Sequence, residues 1–419
     1  MNLTKKEKFS FGFGVLGKDA ICCSVGNFLM FYFTDVLFLT PAFVGTLFFV
    51  ARIWDAINDP MMGMIVDNTH TRFGKFRIWL VIGTLVNSVV FVLLFHSFNL
   101  SGTALYVYVS VMYILYGMTY TIMDVPYWSW LPNLTNDPHE REKVSVIPRF
   151  FASLAGFSIG VFGLSMINGM DKIFGNGDRT AGFRMVALVI SILFVFTISV
   201  TIINVKEKVT EKAAEHTSFK QIINILFKNK QLIAYIGLLL AYNLCMQIVN
   251  GIIIYYFKYV AGKEGLFSIF SVCILAEMGG LVVFPKIVKK LGREKMFAMA
   301  CTFPIIGLII IAVAGFVAPT NPLFVILGAG ILKLGSGFEL GVVTVCIADV
   351  IDYNELLFGT RNESIICSTQ TFLMKASQAV SGLLTGVGLA MVGYNASLPQ
   401  QSAATLNGIR IIMIVIPMV

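Results

Sequence analysis

Three short runs of this 419-residue chain gather acids, amides and aromatic rings at spacings that could hold a ligand. The first, ARIWDAINDP, contains Asp55, Asn58 and Asp59. Helical residues three and four apart share a face, so both carboxylates and the amide point the same way. Carboxylates that close repel each other unless a proton or a cation sits between them. With the Asn58 amide and a hydroxyl such as Thr121, they would form an oxygen cage, which hard cations such as sodium favour and a proton does not need. The plainer alternative pairs Asp55 with Arg52, one turn back, and leaves Asp59 unexplained. The second run, YTIMDVPYWSW, spaces Tyr120, Asp124 and Trp128 by four. A carboxylate that accepts from paired hydroxyls, beside rings that stack on C–H surfaces, suits a sugar. Asp19 would add a second acceptor, with Lys18 and Arg149 as donors. The alternative makes Trp128 an interfacial anchor and Tyr120 a core residue. The third run, QTFLMKASQAV, buries Lys375, for which Asp55, Asp59 or Asp124 is the expected partner. Glu277, Lys333 and Glu339 also fall in or near apolar runs, and a Glu277–Lys333 pair is the expected account of the first two.

None of these constellations reads as an enzyme. There is no nucleophile–base pair, no metal-ligand spacing of His and Cys, and no phosphate-binding loop. The seven cysteines lie mostly inside apolar runs without a CxxC pair, as small buried hydrophobes do. No cofactor is expected beyond a coupling ion.

The elements that must carry these residues are greasy. Hydrophobic residues make up 57% of the chain and charged residues 13%, with a mean hydropathy of +0.81. Soluble domains carry about 25% charged residues. An ionisable group at mid-membrane costs about 2.5–3.5 kcal/mol, so each one needs a partner or a task. Apolar runs long enough to span a bilayer lie near 10–36, 42–66, 77–97, 103–130, 146–169 and 182–204, and again near 231–260, 264–288, 295–317, 323–350, 364–394 and 405–419. The expectation is an all-α, polytopic membrane protein of twelve transmembrane helices in two six-helix bundles. Residues 1–204 would form the N-terminal bundle, with the cation site and most of the sugar site. Residues 205–230 would form a cytoplasmic middle loop and 231–419 the C-terminal bundle. The last run stops at Val419 without a basic tail, so truncation is expected there. The basic Met1–Lys8 segment lacks a following cleavage site and leads into the first span.

Twenty Lys and Arg fall in the N-terminus and the even-numbered connections, against five in the odd ones (Lys172, Arg179, Arg184, Lys258, Lys263). Both termini are therefore expected in the cytoplasm, with the protein in the inner (plasma) membrane. The net charge of +8 marks topology and needs no nucleic acid to explain it.

The six-plus-six plan is that of the major facilitator fold, with a substrate site between the bundles. Gly63-x-x-x-Asp67 followed by Arg72, Gly74 and Lys75 is similar to that fold's loop motif, and Lys289-Lys290-Leu291-Gly292-Arg293 to a degraded copy. From residue 10 to about 375, in order, the blocks FGFGVLGKD, YFTDV, VGTLFFVARIWDAINDPMMG, TRFGKFR, YGMTYTIMDVPYWS, PRFFASLAGF, AYN, ADVIDYNE and RNESI–QTFLMK resemble the glycoside–pentoside–hexuronide cation symporters. The resemblance implies alternating-access symport of a galactoside of the melibiose type with sodium, lithium or protons. Lactose, raffinose or a glucuronide are the alternative sugars. Its cation residues would be Asp55, Asn58, Asp59 and Thr121. Its sugar residues would be Lys18, Asp19, Tyr120, Asp124, Trp128, Arg149, Thr371 and Lys375. Arg141, Arg293 and Arg361 facing Asp349, Asp352, Glu355 and Glu363 would form a cytoplasmic gate. The partners implied are a small-molecule sugar, a monovalent cation and membrane lipid, for a chain that works as a monomer. Gly26 and Leu340 stand where a melibiose-transporting member has a tyrosine and a tryptophan, which spares the cation cage and alters the cavity wall.

Overall fold

The computed structural model describes residues 3–135, 138–175, 179–207, 229–358, 363–398 and 400–418, without certain side chains inside those helices, Arg141, Glu363 and Thr371 among them. Most of the middle loop expected at 205–230 lies outside the described residues, as does Arg361. All regular structure among the described residues is helical. The contacts divide the chain into two units, Met1–Lys212 and Ala213–Val419.

The first unit holds α1 (Lys5–Phe31, prolonged to Val36 by a π-turn), α2 (Pro41–Asp67), α3 (Arg77–Leu94), α4 (Gly102–Trp130), α5 (Pro138–Phe174) and α6 (Arg179–Asn204). The second holds α7 (Lys230–Tyr255, prolonged to Val260) and α8 (Leu266–Leu291, interrupted at Cys273). It continues with α9 (Arg293–Val317), α10 (Pro322–Phe358), α11 (Glu363–Met391) and α12 (Ala403–Arg410, prolonged to Met418). Among the described residues, nine helices are long and apolar enough to cross a bilayer. α2 is not one of them, and the reason is its site residues.

α2 is amphipathic in the inverted sense. Ile53, Trp54, Ile57, Met61, Met64 and Ile65 are exposed, whereas Asp55 is 8% exposed. In water such a face would be the wrong way out. In oil, the apolar stripe meets lipid and the polar stripe is sheltered by protein. Its neighbour is α4, while α1 packs on α5 and α6.

Small residues set the second packing. An added Cβ at Gly17 would come 2.5 Å from the Phe194 Cα of α6. Only glycine permits that approach, as at other close helix crossings in membranes. The next residue, Lys18, is consequently 3% exposed. At one end of the unit, the Glu207 carboxylate accepts from the Lys75 backbone N–H at 2.6 Å and from Phe76 N–H at 3.1 Å. It thus satisfies donors at the α3 N-terminus, where the helix dipole favours an anion. Gly74, in the turn before, has φ +107°, a conformation that a side chain would strain.

Two helices outrun their apolar segments. α5 begins at Pro138, before the run expected from 146, and α10 continues to Phe358, past the run ending at 350. Hydropathy marks the oily stretch, whereas backbone hydrogen bonding carries a helix beyond it. Asp349, Asp352 and Glu355 therefore lie at threefold spacing on α10 and not in a loop.

Gly17→Val is expected to force α1 from α6 and cost about 1–3 kcal/mol by overpacking. A thermal melt of the purified variant checks this, and an unchanged midpoint would contradict the packing described.

Candidate functional site

α4 is the hub of the first unit. Successive helical residues are rotated by about 100°, so three in a row address three directions. Thr119 accepts from the Asn87 amide of α3 at 2.9 Å. Tyr120 accepts from the Lys18 ammonium of α1 at 3.1 Å. Thr121 donates to Asp59 Oδ1 of α2 at 3.0 Å. Asn87 and Gly117 are members of this assembly that the sequence reading missed. Asn87 is fully buried and also donates to the Tyr116 carbonyl at 3.1 Å. A lone amide inside the apolar run 77–97 was the available signal.

Lys18 closes a polar cluster between α1 and α4. Its Nζ lies 2.6 Å from Asp124 Oδ1, 2.9 Å from Asp19 Oδ1 and 3.1 Å from Tyr120 OH. An ammonium has three N–H groups, and these three acceptors use them all. Lys18 thus ties together two carboxylates that the sequence reading placed with it in the sugar site. The ammonium also sits 5.2 Å from the centroid of the Trp128 ring. The Trp128 indole donates to the same Asp124 Oδ1 at 3.1 Å. The second oxygen of each carboxylate is left without a protein partner among the described residues. The Asp19 and Asp124 side chains are 21% and 26% exposed, enough to admit a ligand. Two acids and one base leave the cluster with a formal charge of −1. Below it, Tyr127 OH donates to the Phe11 carbonyl, and their rings stack at 4.6 Å, binding α1 to α4 a second time.

The two acids of α2 take different partners. Arg52 Nη1 donates to Asp55 Oδ2 at 3.1 Å, the plainer alternative raised by the sequence. Asp55 reaches α4 where Gly117 lacks a side chain, since a Cβ there would lie 2.9 Å from Asp55 Oδ1. Asp59 lies with Thr121. Between them, the Asn58 Nδ2 atom is buried without a hydrogen-bond partner among the described residues.

Other expected site residues lie elsewhere. Arg149 is exposed on α5, and no described bond joins it to the cluster. Lys375 is half-buried on α11, in the second unit; the Thr371 side chain on the same helix lies outside the described residues. Of the gate set, Arg293 pairs with Asp349 at 2.8 Å, within the second unit. Asp352 and Glu355 are exposed on α10, and Arg141, Arg361 and Glu363 lie outside the described side chains. The Glu277–Lys333 pair forms, at 3.0 Å between α8 and α10.

A helical chain with greasy outward faces and paired charges inside is a multi-pass membrane protein, and its family makes it a transporter and not an enzyme. Residues 10–419 match the family described as MFS/sugar transport protein, and the chain belongs to it. It is 32% identical to the isoprimeverose transporter of Lactiplantibacillus pentosus, over 99% of this chain and 85% of that one. It is 31% identical to the putative glycoside/cation symporter YagG of Escherichia coli (strain K12), over 100% of this chain and 89% of that one. The fold is that of the nucleoside transporter NupG, with TM-score 0.64 and 11% identity over 98% of this chain and 96% of that one.

Lys18→Met should destabilise the protein, by about 3 kcal/mol at most, because it leaves two half-buried carboxylates uncompensated. Adding Asp124→Asn should recover part of that loss. A double-mutant cycle in a denaturant or thermal melt is expected to give a coupling of about 0.5–3 kcal/mol. A coupling of zero would mean that the pair does not hold α1 to α4.

Proposed function

We infer that this chain is a secondary active symporter that couples entry of a neutral glycoside, of the galactoside class, to a monovalent cation. Sodium is the first candidate, with lithium and the proton as alternatives. One observation carries the reading. A single stretch of α4 bonds both the carboxylate suited to a cation, Asp59 through Thr121, and the carboxylate suited to a sugar, Asp124 through Lys18 and Trp128.

In this reading the cation is cargo. Arg52 pairs with Asp55, and the Asp59 carboxylate, with the Thr121 hydroxyl beside it, is the acid of α2 that would take part in holding an arriving cation. Asn58 supports the same site: a half-turn of its amide exchanges nitrogen for oxygen, giving a hard cation another ligand in place of an unpartnered buried donor. Binding there draws on Thr121, three residues before Asp124, so both ligands act on one rigid helix. Reciprocity then requires the sugar to raise cation affinity by the factor by which the cation raises sugar affinity. Vicinal hydroxyls would donate to the remaining oxygens of Asp19 and Asp124. Trp128, 37% exposed, would offer its ring to the sugar's C–H face.

The names of the relatives support a glycoside and, for the putative symporter, cation coupling. The cluster's formal charge of −1 and the fully engaged Lys18 disfavour an anionic sugar. Expected localisation is the inner membrane with both termini in the cytoplasm, on the distribution of basic residues.

The test is uptake of a labelled glycoside panel into vesicles under separately imposed sodium, lithium and proton gradients. Asp59→Asn should abolish cation-driven accumulation while leaving downhill sugar exchange. Asp124→Asn should weaken sugar binding by about tenfold or more, the equivalent of losing a charge-assisted hydrogen bond. Cation-driven accumulation that survived Asp59→Asn, or competition by glucuronides but not by neutral glycosides, would overturn the reading.

A further inference from the structure

The second unit holds an acid that the transport reading leaves without a task. Glu339 lies half-buried on α10, between the buried Phe338 and a run of valines. It makes no hydrogen bond or ion pair among the described residues. A close helix crossing sets its surroundings. Gly337, two residues before it, presses on the Glu277 carbonyl of α8, where a Cβ would find no room. The ionisable groups near enough to act on Glu339 are Glu277 of α8, Tyr242 of α7 and Cys301 of α9, and α11 adds none among the described residues. None of the three is a cation.

The ammonium of the same helix is already spent. Lys333 Nζ lies 3.0 Å from Glu277 Oε2, with the two side chains 17% and 22% exposed. Six residues separate Lys333 from Glu339, a rotation of about 240° around α10, so the two leave the helix on different sides. Glu277 has a second support. It falls in the first turn of Ile274–Leu291, the segment of α8 that follows the interruption at Cys273, where the helix dipole favours an anion. Two carboxylates and one ammonium leave one negative charge in excess. An uncompensated carboxylate in oil is expensive, and of two acids that face each other one is readily neutralised. A sodium ion would need several oxygens at once. Here the Tyr242 hydroxyl is committed to Ser336 Oγ at 3.2 Å, and Cys301 offers a soft thiol. A proton needs a single oxygen.

We propose that Glu339 is a proton-binding site, separate from the cation site of the first unit, and that its proton enters with the sugar. The step is an acid–base equilibrium. A proton from water bonds to one carboxylate oxygen and removes the negative charge; the same O–H bond breaks when the proton returns to water on the other side. The Glu277–Lys333 pair stays ionised throughout. Half-exposure lets water reach Glu339. When the carrier is closed to both sides that water is lost, and no cation of the described residues replaces it, so the closed state keeps the proton. Both sites must be loaded for the sugar to cross, so Asp59→Asn alone still abolishes accumulation. The coupling rests on the symport reading, whereas the protonation does not.

Protonation is read by infrared spectroscopy of the purified full chain near neutral pH, from the C=O stretch of a protonated carboxyl group and its shift in deuterium oxide. The wild type should show a band that Glu339→Gln loses and Asp59→Asn retains. Lys333→Met, which leaves Glu277 without its cation, should enlarge it. No loss in Glu339→Gln, or loss of the same band in Asp59→Asn, would overturn the proposal. Coupling is read with a pH electrode in a lightly buffered vesicle suspension, as protons taken up per labelled glycoside. Glu339→Gln, a neutral isostere of the protonated acid, should still admit sugar but with one proton fewer per sugar, whichever ion Asp59 takes. Glu339→Asp should restore both the band and the proton. Equal proton counts in wild type and Glu339→Gln, zero included, would overturn the coupling. A parallel melt identifies a variant that fails to fold, in which case Glu339→Met replaces Glu339→Gln. Accumulation that survived Asp59→Asn would sink the symport reading and leave the infrared result standing, so the two failures are told apart.

Discussion

The Lys18 ammonium, held by Asp19, Asp124 and Tyr120, is the constraint on which the first unit's chemistry depends. A lone ammonium in oil is expensive, and so are two lone carboxylates. Placed together, with every N–H accepted, they offset one another and leave an excess of acceptor oxygen. That excess is what a polyol can use. The same bonds join α1 to α4, helices whose main packing partners lie elsewhere, so the binding groups and the tie between the helices are one set of atoms.

α4 then acts as a common frame. Its three consecutive residues Thr119, Tyr120 and Thr121 bond α3, α1 and α2 in turn, an arrangement that follows from helical rotation and from the residue types alone. Nothing flexible separates Thr121 from Asp124. Asp59 is thereby bonded to α4 one helical turn from Asp124.

Much of this was legible in the sequence, for physical reasons. The helix count followed from the length of the apolar runs, and α2 was found despite its acids because its apolar residues outnumber them. The Tyr120–Asp124–Trp128 face followed from fourfold spacing, and the Glu277–Lys333 pair from the need of each charge for a partner. What spacing could not give was the choice among partners. Asp55 and Asp59 share a face, yet one took Arg52 and the other Thr121. Lys18, read as a donor to a sugar, could not be assigned its three protein acceptors from spacing. Helix ends were also misplaced, at Pro138 and Phe358, because lipid contact and helical hydrogen bonding stop at different residues.

The inverted α2 has a consequence for how the chain is made. Taken alone, with Arg52, Asp55, Asp59 and Asp67 along its length, it is a poor client for any machinery that sorts segments by their greasiness one at a time. Arg52 shelters Asp55 from within the helix, and α4 adds Thr121 and the bare flank of Gly117. The shelter that α4 gives is available to α2 only after that later helix has been synthesised.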